Sequence, residues 1–539
     1  MPWTASPAPG ARRPVPDRRR GWLAALVLLL AATPAWAETT PVHGTADIVL
    51  RSAVPFDAAG TPNPFTEVDV AAEVTSPGGR VIRVDGFFDG DGEGGGRGSV
   101  FKVRVHADEP GAWTWRSVSN RPDLDGRRGS FRVEGRLAGA FGAGPLVVDP
   151  ASPRFFAHRD GGPAFLIGKF LDIRAPEPFR FSHTLFADTL TEELRAAMVE
   201  RHRRAGYNRI SVYLANRGDY GGVATTPWLG DKQRNDKTRF DLARWHLYER
   251  WVRHLLAQGM AAQLWFFADD SGFGRLPEED RRRLLRYGMA RLSGFANTLF
   301  VLALEWQEGW SRAAIERDGR YLQSRNPWKR LVSVHGVPGV FPFTDADWVD
   351  FVALQAGNDV EHRVVHRLGL VHRNGPAKPV VQEEHGLGEE DGRNRRNAWA
   401  ALMSGAAGIG SGAGLEHLAA FVRAVPFERL APAPERVRGP AHLLTDGNGL
   451  SVLYLYGPGQ VRVAIGDGTP QPAVWFDPRR GRWHPAPPVA GGGQALRAPD
   501  GEDWVLVLGK AAPPVSGPAH GSGNGGTSPT NPSAGGPRG

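Results

Sequence analysis

Two glutamates stand where short hydrophobic runs give out. Glu305 closes the run that begins at Leu299 and continues to Trp310, and Glu384 closes the run Lys378 to Gly386. Each run is short, apolar and bounded by turn residues, so each reads as a buried parallel strand. A carboxylate at the end of such a strand is costly to desolvate unless it has a partner or a task. In a parallel α/β barrel the strand ends carry the chemistry. Two carboxylates on different strands are what glycoside hydrolysis requires, one as acid/base and one as nucleophile. The plain alternative for Glu305 is a buried ion pair with an arginine on another strand, such as Arg209. Glu383 gives Glu384 a like-charged neighbour that would tune its proton affinity, unless one of the two is solvated and idle. Glu308 is a nearby competitor of Glu305 and otherwise a surface or helix-cap residue.

Around these runs the chain alternates strand and helix. Strands are expected at Ala164–Phe170, Arg209–Leu214, Ala262–Ala268, Phe300–Glu305, Leu331–His335, Phe351–Gln355, Pro379–Glu384 and Ala407–Gly410. Amphipathic stretches at Glu192–Arg204, Leu242–Gln258, Pro277–Ser293, Ser311–Ser324, Val360–Leu368 and Arg393–Met403 separate them, and Leu415–Val425 follows the last. Eight strands in this span predict a (β/α)8 TIM barrel, with an open doubly wound sheet as the runner-up. No glycine-rich phosphate loop follows the first strand.

Before the barrel, short β-rich runs from Ala46 to Val133 alternate with Gly/Pro turns, which predicts a β-sandwich. After it, Ser451–Tyr456, Val461–Ile465, Ala473–Phe476 and Trp504–Leu508 predict a second β-domain, also read as a sandwich. The expected divisions are 1–37, 38–137, 150–432, 437–511 and a Gly/Ser/Pro-rich tail over 512–539 that composition predicts to be disordered. Residues 1–37 have the layout of a secretory signal peptide. Five arginines precede an apolar run from Gly21 to Ala32, and Ala35-Trp36-Ala37 forms a small-x-small cleavage pattern. The apolar run is short for a membrane anchor. Arg19-Arg20-Gly21-Trp22-Leu23 partly resembles a twin-arginine signal, which leaves the export route open. The mature chain is then expected to be secreted or periplasmic, with no membrane span.

The formal net charge is +8, and removal of 1–37 leaves about +4. That is too mild to predict a nucleic-acid partner. With no cysteine, disulfides, thiolate metal sites and a cysteine nucleophile are excluded. The loop Asp89 to Gly94 opens like a calcium loop, but Val100 stands where the twelfth-position glutamate belongs, so a hairpin turn is expected. No metal or cofactor is expected. No nucleophile elbow or zinc-protease motif occurs, which argues against a protease.

Three stretches carry a family resemblance. The first comprises Gly86 to Gly92, Val105 to Trp115 and Leu124 to Phe131. The second is the strand pair holding Glu305 and Glu384. The third comprises Trp475 to Gly481 and Gly501 to Leu508. Over about residues 45 to 510 the chain resembles secreted clan A glycoside hydrolases of the apiosidase-like group. These carry a small β-sandwich before the barrel and a collagen-binding-type β-domain after it. The resemblance implies a retaining glycosidase acting on a polysaccharide or oligosaccharide, with Glu305 as acid/base beside apolar Leu304 and Trp306, and Glu384 as nucleophile. It also places a histidine at His335, a candidate contact to sugar or nucleophile against a plain core role. Gln355, Arg209, Trp265, Trp306, Glu383 and Glu308 complete the candidate substrate-binding set. Trp265, Trp306 and Trp310 are candidates for stacking on sugar faces, with core packing the plainer reading. Two positions depart from the family: Leu304 replaces the usual asparagine before the acid, and Lys169-Phe170 replaces Asp-Thr. These departures motivate the alternative of a non-catalytic carbohydrate-binding or surface-adhesion protein with a degenerate barrel.

Overall fold

The computed structural model describes residues 39–168, 185–187, 190–217, 225–268, 272–357, 360–386, 392–411, 414–465, 468–490 and 492–509. The chain separates into Met1–Ala37 and Glu38–Gly539, and every described residue belongs to the second unit. The expected signal segment, Lys169, Phe170 and the 512–539 tail lie outside the described residues.

The first seven strands, from Thr39–Val42 to Arg128–Arg136, form one ladder in the order first, seventh, sixth, third, fourth, fifth, second. Alternation of exposed and buried residues along Gly44–Asp57 marks a sheet with one face on a core, as with buried Ile48 and Leu50 around exposed Val49. The fourth strand, Val81–Phe88, pairs with the third up to Asp85 and with the fifth from Gly86 onward. A Cβ at Gly86 would lie 2.9 Å from Val70 Cγ1 and 3.0 Å from the Lys102 carbonyl. The sheet therefore folds over at a residue that must lack a side chain.

Behind this β-domain lies a barrel domain. Its strands, in chain order, are Leu166–Ile167, Arg209–Ala215, Ala261–Phe267, Thr298–Ala303, Val332–Ser333, Val352–Gln355, Val380–Glu384 and Gly408–Ile409. Strands two to five pair in parallel in sequence order, as do six to eight, and the eighth pairs with the first. His335 bridges to Ala353 between strands five and six. Asn208 ties the second strand to the first: its N–H donates to the Ile167 carbonyl (2.9 Å), and its Oδ1 accepts from the Ile167 N–H (2.8 Å). Successive strand residues fall into two cores. Tyr213, Trp265, Val301, Ala353 and Val381 share one cluster, while Ile210, Val212, Leu264, Phe300 and Val352 pack in another. This double burial explains the near-continuous apolar runs. The expected strand Ala164–Phe170 is split: Pro163–Ala164 joins a small antiparallel sheet with Phe156–His158, and only Leu166–Ile167 enters the barrel. A hairpin of Trp228–Gly230 and Asn235–Phe240, too polar to show a strand pattern, is inserted after the second strand.

Seven helices among the described residues fall within two residues of the expected amphipathic stretches, except His362–Arg373, which starts later and runs on to Arg373. Thr191, Asp241 and Ser311 accept the N–H of the third residue on and cap their helices. Each such cap is worth about 1 kcal/mol.

The N-terminal β-domain meets the barrel through a buried ion network. Asp89, expected in a hairpin turn, is fully buried and contacts Arg291 (2.8 Å), His246 (2.8 Å) and Lys102 (2.6 Å). Arg104 spans Asp47 (2.7 Å) and Glu249 (2.8 Å). Burial raises the Asp89 carboxyl, but Arg291, His246 and Lys102 outweigh it and hold it well below the usual carboxylate range.

After the barrel, strands from Ala431–Pro432 to Trp504–Leu508 form a six-stranded and a three-stranded sheet, plus a two-stranded ladder of Pro470–Gln471 with Val489–Ala490. Trp399 and Phe421 of the last barrel helices pack on Phe476. Beside them, His366 of helix His362–Arg373 stacks on His442 of strand Ala441–Thr445, with centroids 3.7 Å apart and an interplanar angle of 16°. His362 and Tyr456 complete the group. Burial pushes His362 and His366 down to about 4 and His442 to about 2. Arg363 and Arg396 add to the effect at His362, and Asp503 opposes it. Above the ordinary imidazole value of 6.5 both folded and unfolded chains are neutral here. Below it the unfolded chain takes up protons that the folded chain refuses, so stability falls as pH drops from 6.5 towards 4. The thermal midpoint of the wild type is expected to fall across that window, and that of His442→Phe to fall less. Parallel slopes for the two proteins would remove the stack from the account.

Candidate active site

The fourth barrel strand ends at Ala303, and the chain is held on both sides as it leaves. Leu304 N–H donates to the Phe267 carbonyl (3.0 Å) on strand three. Trp306 N–H donates to the His335 carbonyl (3.1 Å), and His335 N–H to the Ala303 carbonyl (2.9 Å), on the strand-five side. Between these anchors Glu305 adopts φ 38°, ψ 53°, a left-handed conformation, and opens a short 3-10 turn, Trp306–Glu308. A non-glycine residue there costs on the order of 1 kcal/mol or more, and such positions concentrate at functional sites.

Glu384 ends strand seven. Its carbonyl accepts from Ala356 N–H (2.8 Å), and its Oε2 accepts from Gln355 Nε2 (2.9 Å). The ladder between strands six and seven slips here: Leu354 faces Gln382, and Gln355 faces Glu384. Glu383 is the extra residue of a bulge, a device that re-aims side chains beside active sites. Its carboxylate accepts from Arg209 Nη1 (2.6 Å) and Gln263 Nε2 (2.8 Å). Arg209 also bonds Gln263 Oε1 and the Gly168 carbonyl. Arg209, Gln263 and Glu383 are all buried, at 0%, 0% and 4% exposure. The barrel closes tightly over them, since a Cβ on Gly410 would lie 2.5 Å from the Glu383 carbonyl and from its Oε2.

The candidates therefore separate. The buried partner of Arg209 is Glu383, not Glu305 as the plain alternative had it, and Arg209 has no exposed surface with which to meet a sugar. Glu383 is paired rather than idle. Trp265 is wholly buried, edge-on to Tyr213 and to His335 (5.3 Å), so it presents no free face for stacking. Trp310 packs on Phe267 in the core, and its indole donates to Asp318. Glu308 is exposed on the 3-10 turn.

Three other candidates gather at the strand ends with buried polar atoms unspent among the described residues: both ring nitrogens of His335, Nε1 of Trp306 and Oε1 of Gln355. Buried polar groups ordinarily find partners, and a set left open beside two glutamates is suited to hydroxyl-bearing ligands. Burial pushes His335 down to about 3, so it acts as a neutral hydrogen-bonding group. Gln263, which donates to Glu383, and Ser211, which donates to Gln263 Oε1 (3.3 Å), were missed in the sequence. Their signal was a polar residue at alternate positions of otherwise apolar strands.

Residues 178–415, which contain both glutamates, match the apiosidase-like catalytic domain, and residues 46–120 match DUF5060, a domain of unknown function. The chain carries an apiosidase-like catalytic domain behind a DUF5060 domain. No curated protein matches it. A crystal structure of a candidate glycoside hydrolase from Bacteroides vulgatus superposes with a TM-score of 0.70 at 18% identity, covering 88% of this chain and 99% of its own. A glycoside hydrolase family 5 structure from the same organism gives 0.57 at 16% identity, covering 69% and 94%. A third structure, described as a glycoside hydrolase, gives 0.55 at 18%, covering 69% and 98%. At these identities the likeness is one of fold: a glycoside hydrolase-like barrel with an N-terminal β-domain and C-terminal β-strands.

Within the apiosidase-like domain the Arg209–Glu383 pair can be tested directly. Arg209→Met or Glu383→Gln alone strands its partner in the core and should cost about 3–5 kcal/mol in denaturant unfolding. Arg209→Met combined with Glu383→Leu should recover much of that loss. Additive losses in the double variant would show that the two side chains do not act as a pair.

Proposed function

We propose that this protein is a secreted, retaining glycoside hydrolase acting on a polysaccharide or oligosaccharide. Its site is built on a (β/α)8 TIM barrel flanked by two β-sandwiches. The observation that carries the reading is the placement of Glu305 and Glu384 at the ends of barrel strands four and seven, beside the unspent polar atoms of His335, Trp306 and Gln355. The match of residues 178–415 to an apiosidase-like catalytic domain supports it. Glu384, oriented by Gln355, attacks the anomeric carbon while Glu305 protonates the leaving oxygen. Glu305 then takes the proton of the water that releases the sugar. Retention requires the two carboxyl groups to lie about 5–5.5 Å apart. Export follows from the cleavage pattern at Ala35-Trp36-Ala37, and N-terminal sequencing of material outside the cytoplasm is expected to begin near Glu38.

The second reading, a non-catalytic carbohydrate-binding barrel, draws on Leu304. This residue is 8% exposed within the apolar barrel core and offers no hydrogen bond where the family has an asparagine.

Purified protein assayed on a broad panel of glycans separates the two. Glu305→Gln and Glu384→Gln are each expected to lower kcat/KM by about 100-fold or more with an unchanged melting temperature. The product is expected to appear, by NMR, with the anomeric configuration of the substrate. An inverted product would replace the two-step scheme by a direct displacement. Near-normal turnover in Glu305→Gln would pass the acid role to Glu308. Binding across the panel with no turnover in the wild type would favour the non-catalytic reading.

A further inference from the structure

A cleft of about 250 Å³ lies at the seam between the N-terminal β-domain and the barrel, and neither Glu305 nor Glu384 lines it. Its floor is aromatic. Phe65 from the β-domain meets Phe240 and Tyr287 from the barrel side, with edge contacts at 5.3 and 5.7 Å. Its rim is polar and mixed in sign, with Asp69 from the β-domain facing Glu279, Arg282 and Arg286 of helix Glu278–Leu292. Arg286 is committed to Asp69 (2.8 Å) and Asp85 (3.3 Å). Arg282 gives one nitrogen to Glu278 (2.8 Å) and lies over Tyr321, but its Nε is buried with no partner among the described residues.

This mixture selects a class of ligand. A phosphate or polyanion would need uncompensated cations, and here each rim arginine already has a carboxylate. An apolar ligand would strand the rim charges. A sugar hydroxyl both donates and accepts, so it can bridge an arginine N–H and a carboxylate at once. Of these rings, partly exposed Phe65 can meet the C–H face of a pyranose, with buried Phe240 and Tyr287 packed behind it. The position fits as well. Phe240 ends the hairpin inserted between barrel strand two and its helix, and Glu279 and Arg282 sit in the first turns of the helix that follows strand three. Both connections belong to the end of the barrel where strands four and seven deliver Glu305 and Glu384.

We propose that the cleft between the DUF5060 domain and the barrel is a second glycan-binding site, which holds one or two sugar units of a chain whose further units reach the barrel mouth. The proposal rests on the glycoside hydrolase reading of the barrel. It makes the β-domain part of substrate capture rather than an appendage. Thr66, an exposed cleft residue, can be enlarged without removing any contact described here.

The test uses full-length protein carrying Glu384→Gln. Thr66→Trp and, separately, Arg282→Ala are added, and native affinity electrophoresis is run in gels containing soluble xylan, mixed-linkage β-glucan, arabinan or polygalacturonate. At least one polymer is expected to retard the Glu384→Gln protein, with retention about tenfold weaker in both cleft variants. Circular dichroism and melting temperature should match the parent. In the otherwise wild-type enzyme Thr66→Trp should raise KM on the polymer and leave kcat on short oligosaccharides unchanged. Equal retention with and without the cleft substitutions, or no retention on any polymer, overturns the proposal while leaving the barrel chemistry intact. Turnover that survives Glu384→Gln overturns the hydrolase assignment instead.

Discussion

A guanidinium with no exposed surface, Arg209, lies inside the barrel, and its charge constrains everything around it. An isolated buried cation would cost many kcal/mol, so strand seven must bring a carboxylate to it. Glu383 does this by occupying a bulge, and that bulge sets the register at which Glu384 emerges opposite Gln355. Gln263 and the Gly168 carbonyl take up further hydrogen bonds and tie strands one, two, three and seven to one point. The acid side is held differently. Glu305 lies between Leu304 and Trp306, whose N–H groups bond the Phe267 and His335 carbonyls, in a conformation that a free loop would not keep. The two proposed catalytic groups thus rest on rigid supports of unlike kind, one an ion pair within the barrel and the other a strained turn.

The same logic joins the domains. Asp89, Arg291, Glu249, Arg104 and Asp47 alternate in sign across the seam between the β-domain and the barrel helices. Buried pairs of this kind add little stability over an apolar seam, but a slipped interface would leave charges unpaired, so they favour one docking geometry. At the other end the C-terminal strands dock through neutral imidazoles and aromatic rings. The first flank is a chain of buried charges, while the second sets one ion pair, Arg395 with buried Asp503 (2.7 Å), beside imidazoles that burial keeps neutral, so pH acts unequally on the two.

Strand and helix positions were legible because burial on both faces writes long apolar runs, and the cores confirm that alternate residues face different clusters. Glu305 and Glu384 were legible because a carboxylate ending such a run is conspicuous. Pairings were not. The plain alternative for Glu305 named Arg209 as one example of a partner, since sequence spacing says nothing about which strand ends meet across a barrel, and a one-residue bulge at Glu383 leaves no local signature. Asp89 resembled a hairpin-turn residue because glycines follow it, and nothing local foretold its burial in the tertiary seam. Trp265 and Arg209 resembled ligand contacts by type, yet their depth in the barrel gives them supporting work.

The most direct test of the account is to trap the covalent intermediate. Incubation with a 2-deoxy-2-fluoro glycosyl fluoride matching the sugar found to be cleaved, followed by peptide mapping in a mass spectrometer, should place one glycosyl adduct on Glu384. The Glu384→Gln variant should carry none. An adduct on Glu383, or time-dependent turnover with no adduct on either residue, would contradict the assignment of Glu384 as the nucleophile on which the mechanism stands.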